Sequence, residues 1–370
     1  MIADFGSIII YWFGLLLTLL LTVIYSRMQI RKKYWDIVWI ALICLPLSII
    51  AGMRSYVGTD YVNYVRIFNE VKYLTLGECF THSYLDRGFA VLVKLIWYIT
   101  DNLKVIFFLF NFATLFIALK AVSKYKKDMS VMLFMLLFYL IIYHHSLNIL
   151  RQCFAVSLMI WALCLMIERK VWKSLIVCVL AMFIHNTMII GILFIVVLSI
   201  LCSEKEMKKL ENGTCSSVHV LYYCLIFISI FLVPFFLKLM IKMPVFQAYA
   251  KYFIADVDIG IGRIAEFIIL FAPLLWVWKT IVSSKALFAM FNAAVLYLPV
   301  AFTGYYFNWA SRMNLYTTVI FAIMIPMIFK KEKNPNKKFV IVCWYLFYFV
   351  GTYFLEILIK NYGETFPYII

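Results

Sequence analysis

Residues 7–25 read SIIIYWFGLLLTLLLTVIY, and Ser26 to Lys33 continue as SRMQIRKK. A helix needs about 20 apolar residues to cross the hydrocarbon core of a bilayer, and Lys and Arg collect on the cytoplasmic side of such a crossing. This junction decides the class of the fold. The apolar run has no basic region before it and no small-residue cleavage site after it, so it is expected to be a first span that stays in the protein, not a secretory leader.

The composition extends that reading to the whole chain. Of 370 residues 66% are apolar and 14% charged, against roughly 45–50% and 25% in an ordinary soluble domain. A soluble globule is excluded. The net charge of +16 therefore bears on orientation in the membrane first, and no nucleic-acid partner is expected. The nine cysteines show no CxxC pair and no neighbouring His at ligand spacing, which signals neither a zinc site nor a disulfide framework. They read as small buried hydrophobes.

Basic clusters recur between the apolar runs: Arg27 to Lys33, Lys120 to Lys127, Arg169 to Lys173, Lys205 to Lys209, Lys279 with Lys285, and Lys330 to Lys338. Putting all six on the cytoplasmic side requires crossings near residues 7–25, 35–52, 103–122, 130–147, 150–167, 171–184, 186–201, 218–241, 263–282, 286–304, 312–329 and 338–359. The expectation is an all-α integral membrane protein of about twelve spans, a single polytopic domain over residues 1–370 with both ends outside. Counting Gly88 to Thr100 as a span, or Val171 to Ile200 as one span, would send the next cluster outside.

Residues 53–102 are then a long external insertion between the second and third spans, the kind of loop a compact protein keeps for function. Within it Tyr61, Tyr64, Val65, Phe68 and Val71 share one helical face, with Asn63, Arg66, Asn69 and Glu70 on the others. That pattern predicts an amphipathic helix lying on the membrane. Gly88 to Thr100, short and carrying Lys94, suits a re-entrant or interfacial helix. No internal repeat and no Pro/Ser linker interrupts the chain.

This topology delivers Arg54, Arg151, His185 and Arg312 to the outer face, with Asp60, His144, His145, Asn148, Gln152, Asp256, Asp258, Arg263 and Asn308. Any one rim arginine can simply reach for headgroups. Three of them on the face that basic residues normally avoid point to anion recognition, because a guanidinium grips phosphate bidentately and stays charged in a low-dielectric site. Asp60, preceded by Gly58, suits the N-cap of the amphipathic helix. A carboxylate near Arg54 would orient a hydroxyl or cation better than it would act as a base. His185 is either a structural histidine or a base near neutrality. His144 and His145 point to different sides of a helix and make a poor metal pair, whereas His144 and Asn148 share a face. Asp256-Val257-Asp258 has the form of a DxD metal motif, a pattern too short to carry a metal site. External aromatics such as Tyr305, Tyr306, Trp309 and Tyr362 fit an interfacial belt or a sugar-stacking surface.

Residues 51–64, AGMRSYVGTDYVNY, resemble the GxR…xGTDYxxY signature of the EpsG family, a branch of the Wzy-like polysaccharide polymerases. Asp86-Arg87-Gly88-Phe89, Leu150-Arg151-Gln152-Cys153-Phe154-Ala155, Phe183-Ile184-His185-Asn186 and Pro367-Tyr368 are similar to further segments of that family. The chain departs from it at Asn186, where Ser is usual, and at Asp86, which Arg87 separates from the Gly. The resemblance implies a GT-C-like membrane glycosyltransferase that joins oligosaccharide repeat units carried on undecaprenyl diphosphate, at the external face of the cytoplasmic (inner) membrane. It implies Arg54, Arg151 and Arg312 as holders of the departing diphosphate, with Gln152, Tyr61 and Tyr64 as further substrate contacts. His185 or Asp60 would deprotonate the acceptor hydroxyl, with inversion at the anomeric carbon. No cofactor and no metal is expected; a chain-length regulator is a candidate partner. The competing readings are a flippase for the same lipid-linked oligosaccharide, which should carry midplane charges and repeated halves, and a membrane O-acyltransferase, which should open a catalytic residue to the cytoplasm.

Overall fold

The computed structural model describes residues 4–29, 32–81, 86–212, 214, 216–242, 261–306 and 312–370. Among them all regular structure is helical. The chain forms two compact units, Met1–Ile192 with Leu346–Ile370, and Leu193–Tyr345.

The first unit contains α1 (Phe5–Arg27), α2 (Lys33–Met53), α3 (Tyr61–Tyr73), α4 (Leu76–Thr81), α5 (Arg87–Trp97), α6 (Leu103–Ser123), α7 (Val131–Asn148), α8 (Leu150–Ile167), α9 (Val171–Ile184) and the start of α10 (Asn186–Leu201). The second holds α11 (Glu204–Glu211), α12 (Ser217–Ile241), α13 (Ile261–Trp276), α14 (Trp278–Val282), α15 (Lys285–Thr303), α16 (Asn314–Lys331) and the start of α17 (Pro335–Ile359), which from Leu346 onward belongs to the first unit. Eight helices among the described residues are long and apolar enough to cross a membrane: α1, α2, α6, α7, α8, α15, α16 and α17. Four shorter apolar helical stretches, Val171–Ile184, Asn186–Leu201, Ser217–Ser229 and Ile264–Trp276, fall where the other expected spans lie. The protein is thus an all-α integral membrane protein.

Alternation of the spans gives the first unit two chemically distinct ends. At one, Lys120 Nζ stands 2.5 Å from Asp36 and Lys124 Nζ 2.9 Å from Glu168, so the first three lysine- and arginine-rich clusters meet there. Tyr25 donates to Asp36 at 2.6 Å and lies under the Lys126 ammonium. Glu168 is pushed up by partial burial, but the hydrogen bonds from Lys170 and Lys124 outweigh that and hold it below the usual glutamate range. The other end carries the 53–102 insertion.

The helix α3 is amphipathic as its periodicity predicts, burying Tyr61, Tyr64, Ile67, Phe68 and Val71. Its apolar face is covered by protein, however: it shares one core with Phe89, Ala90, Val93 and Trp97 of α5 and Ile106, Phe107 and Phe110 of α6. Packing against two apolar helices, one of them a span, leaves that face no surface to lay on lipid. Trp97 Nε1 donates to Phe68 O at 2.8 Å, and Lys94 Nζ to Lys72 O at 2.7 Å, locking α5 along α3. Six of the described cysteines are buried, as their apolar settings predict.

In the second unit Tyr222 and Tyr223 donate to the carbonyl and side-chain oxygens of buried Asn292 at 2.6 and 2.9 Å. Thr280 donates to Glu332 at 2.5 Å, bringing two more basic clusters to one end of that unit.

Candidate functional site

The end of the first unit opposite the lysines is assembled from three breaks in helical structure. The helix α2 stops at Arg54, α7 stops at Asn148, α8 restarts after Ile149 with φ −98° and ψ 57°, and α9 ends on an extended His185 with φ −158° and ψ 120°. Each break turns a polar side chain out of a helical stack.

Asp86, the residue that precedes α5, draws two of the expected site residues together. Its Oδ2 accepts from Arg151 Nη1 at 2.9 Å and from His185 Nδ1 at 3.3 Å. The carboxylate is 7% exposed, Arg151 25% and His185 20% at the side chain, so the group is shielded yet reachable from one side. An arginine in the first turn of α8 opposes the positive end of that helix, and the carboxylate offsets it. A carboxylate that only accepts is matched by an imidazole hydrogen on Nδ1, the tautomer that leaves the Nε2 lone pair for a proton donor. Among the described residues Nε2 makes no hydrogen bond. The geometry depends on Gly88: a Cβ there would lie 2.7 Å from Phe183 Cβ and 2.9 Å from Phe183 O, so only glycine lets α5 approach the end of α9 closely enough.

Arg54 is placed differently from its expected role. Its side chain is fully buried, donating from Nη1 to Ala51 O at 2.7 Å and from Nη2 to Leu147 O at 2.9 Å. Its guanidinium lies 4.5 Å from the Phe107 ring centre and 5.9 Å from that of Tyr61. The C-terminal carbonyls of α2 and α7 converge on it, and their partial negative charge offsets the cation. Among the described residues no salt bridge joins Arg54 to a carboxylate. Geometrically Arg54 ties two helix ends, with its Nε left without a hydrogen-bond partner among the described residues.

Asp60 occupies the N-cap position of α3, but its side chain makes no capping hydrogen bond. Its backbone N–H instead donates to Asn148 Oδ1 at 2.8 Å, and Thr59 Oγ1 to the same oxygen at 2.6 Å. Asn148 and His144 share a helical face in sequence yet separate in function. His144 turns inward, with Nε2 beside the Tyr139 and Tyr353 hydroxyls and Nδ1 beside Thr365 Oγ1. The carboxylate of Asp60 is half-buried beside the loop 55–60.

Tyr61 and Tyr64 are buried, Tyr61 stacked on Phe107 at 4.9 Å and Tyr64 with its hydroxyl 3.4 Å from the Arg151 backbone nitrogen. Burial pushes both phenols up, opposed by Arg54 and Arg151 respectively, so they stay neutral. They seat α3, and Tyr61 keeps a small exposed edge that borders a surface pocket with Thr100 to Lys104. Gln152 is buried on α8. Arg312 belongs to the second unit, where it is exposed just before α16. Asp256, Asp258, Asn308 and Trp309 lie outside the described residues, as do the side chains of Arg263, Tyr305 and Tyr306. Among the described residues no three His, Cys, Asp or Glu side chains gather as a metal site.

Sequence reasoning noticed Asp86 only through its resemblance to a family segment and assigned it no chemistry. The local signal was present: an acidic residue two positions before a glycine that opens a helix. What it lacked was a partner within the same stretch.

No curated protein and no solved structure matches this chain. The EpsG family model matches residues 37–370, which include every residue of the Asp86 cluster, and the chain therefore belongs to the EpsG family, whose general nature is that of a Wzy-like polysaccharide polymerase.

Proposed function

We propose that the protein is an integral-membrane glycosyltransferase joining oligosaccharide repeat units carried on undecaprenyl diphosphate. It works at the outer face of the cytoplasmic membrane, the face opposite the lysine-rich end, and twelve crossings of GT-C type belong to the same proposal. The observation that carries it is the Asp86 carboxylate shared by His185 and Arg151.

In this reading the acceptor hydroxyl gives its proton to His185 Nε2 as its oxygen attacks the anomeric carbon of the donor. The bond from that carbon to the diphosphate oxygen breaks, and the electron pair leaves on the lipid diphosphate. Attack from the opposite face inverts the anomeric centre. Asp86 holds the imidazole in the receptive tautomer and stabilises the imidazolium, a division of labour common to bases oriented by a carboxylate. The remaining donors of the Arg151 guanidinium face the departing charge. Asp60 orients an acceptor hydroxyl. Arg54, Tyr61, Tyr64 and Gln152 serve by position, from inside the fold.

The test is purified protein in liposomes supplied with the lipid-linked repeat alone, read by product size and anomeric configuration. A ladder of inverted linkage is expected, lost in Arg151→Ala, while the acidic limb of the pH-rate profile disappears in His185→Ala. Translocation without elongation would identify a flippase instead. Full elongation by both variants, inserted and abundant, would remove the assignment.

A further inference from the structure

The segment after the last helix does not trail away. Ser55 N–H donates to Ile369 O at 2.7 Å, Gly58 N–H to Glu364 O at 2.9 Å and Thr59 N–H to Gly363 O at 3.1 Å, so residues 363–369 supply carbonyls to the loop that carries Asp60. A fourth donor, Asp60 N–H, goes to Asn148. Four of the six backbone donors of residues 55–60 are thus satisfied from outside the loop, three of them by one segment.

That segment is itself anchored in the helices. Tyr368 donates its hydroxyl to Ile50 O at 2.8 Å and its backbone N–H to Ser7 Oγ at 2.6 Å. Tyr11 donates to Thr365 O at 3.0 Å, and Thr365 Oγ1 lies 3.1 Å from His144 Nδ1. Phe366 is buried, stacked on His144 at 5.8 Å and meeting the Tyr11 ring edge-on at 5.2 Å. The loop has little freedom on its other side: Gly58 adopts φ +101°, and a Cβ there would approach Leu147 O to 2.9 Å.

We infer that residues 361–370 are a positioning element of the site, holding the 55–60 loop closed so that the Asp60 carboxylate meets the acceptor at a fixed place. Gly58 is buried, and a buried backbone donor left without its acceptor is destabilised, so loosening the segment favours an open loop even with α2 and α3 intact. The catalytic consequence rests on the proposed role of Asp60; the hold on the loop does not.

The experiment keeps the full chain and cuts the anchors: Thr365→Val, Phe366→Ala and Tyr368→Phe combined, in a background where the exposed Cys224 and Cys343 are replaced by Ser. The buried loop residue Val57, 1% exposed, supplies the reporter through the substitution Val57→Cys. With hydrogen bonds and a buried ring removed, the open loop population and hence maleimide labelling of the introduced thiol should rise about tenfold or more. In the protein with native Val57, kcat for elongation should fall about tenfold, with KM for the lipid-linked repeat within about twofold. Should the triple variant fail to accumulate, Tyr368→Phe alone should raise labelling about threefold. Labelling unchanged in whichever variant accumulates would overturn the inference. Raised labelling with full elongation, matched by full elongation in Asp60→Ala, would remove Asp60 from the reaction and leave the hold on the loop standing.

Discussion

His185 Nδ1 lies 3.3 Å from Asp86 Oδ2, although the two residues are 99 positions apart. The carboxylate enters from α5 and the imidazole from the end of α9, and the contact fixes which nitrogen of the ring can take a proton. The second bond to the same oxygen, from Arg151 at 2.9 Å, ties the cluster to a third helix.

Asp86→Asn keeps the shape of this contact and removes its charge. The amide can offer hydrogen atoms to the ring, and the receptive nitrogen is then no longer guaranteed. Elongation should fall about 10²–10⁴-fold in kcat, with Asp86→Glu recovering part of it. Unfolding temperature measured on the same preparations should change little between the two variants, which separates orientation of the imidazole from a merely structural contribution.

Gly88→Ala tests the close approach that makes the contact possible. Its Cβ would sit 2.7 Å from Phe183 Cβ, against a residue that belongs to α9. Relief requires α5 to move away, which should cost about 1–3 kcal/mol and lengthen the Asp86–His185 separation. Thermal unfolding in detergent and the elongation rate should both drop, and elongation should drop further than the stability loss alone accounts for.

Arg54→Lys asks whether Arg54 acts from inside the fold. An ammonium cannot span Ala51 O and Leu147 O at once as the planar fork does, and hydrogen bonds from a charged donor contribute about 1.5–3 kcal/mol each. A marked fall in unfolding temperature and in abundance is expected. The KM for the lipid-linked repeat in the fraction that folds should stay near that of the unchanged protein. A large rise in KM with unaltered stability would restore Arg54 to direct contact with the diphosphate.

At the lysine-rich end, Glu168 joins Lys124 and Lys170 at 2.9 and 2.6 Å. Its carboxyl is held below the ordinary glutamate value of 4.5 in the folded protein. The stability this linkage contributes is therefore fully present above that value and is lost as the pH falls through the lower, folded one. The group is partly solvated, so the contribution is about 0.2–1 kcal/mol. Glu168→Gln should lower the unfolding temperature slightly at neutral pH and should flatten its decline at acidic pH.

Much of this protein follows from local pattern. Runs of apolar residues closed by Arg27 to Lys33 or Lys120 to Lys127 place the helical spans, because the length of a crossing and the side its basic residues occupy are properties of one segment and its flanks. The amphipathic character of α3 is equally local, written in the spacing of Tyr61, Tyr64, Phe68 and Val71. The AGMRSYVGTDYVNY stretch carries the family resemblance within fourteen consecutive residues.

What the tertiary structure alone decided is who meets whom. An arginine beside a span reads the same whether it turns outward, as Arg151 partly does, or inward onto two helix ends, as Arg54 does; the difference lies in where α7 places Leu147 O. That α3 leans on α5 and α6 instead of lipid, that Asp86 serves His185, and that residues 363–369 brace the Asp60 loop all depend on packing between segments tens or hundreds of positions apart. Periodicity and charge specify a helix and its orientation one span at a time, whereas such contacts arise from interlocking surfaces, down to the missing Cβ of Gly88, and no single span contains that information.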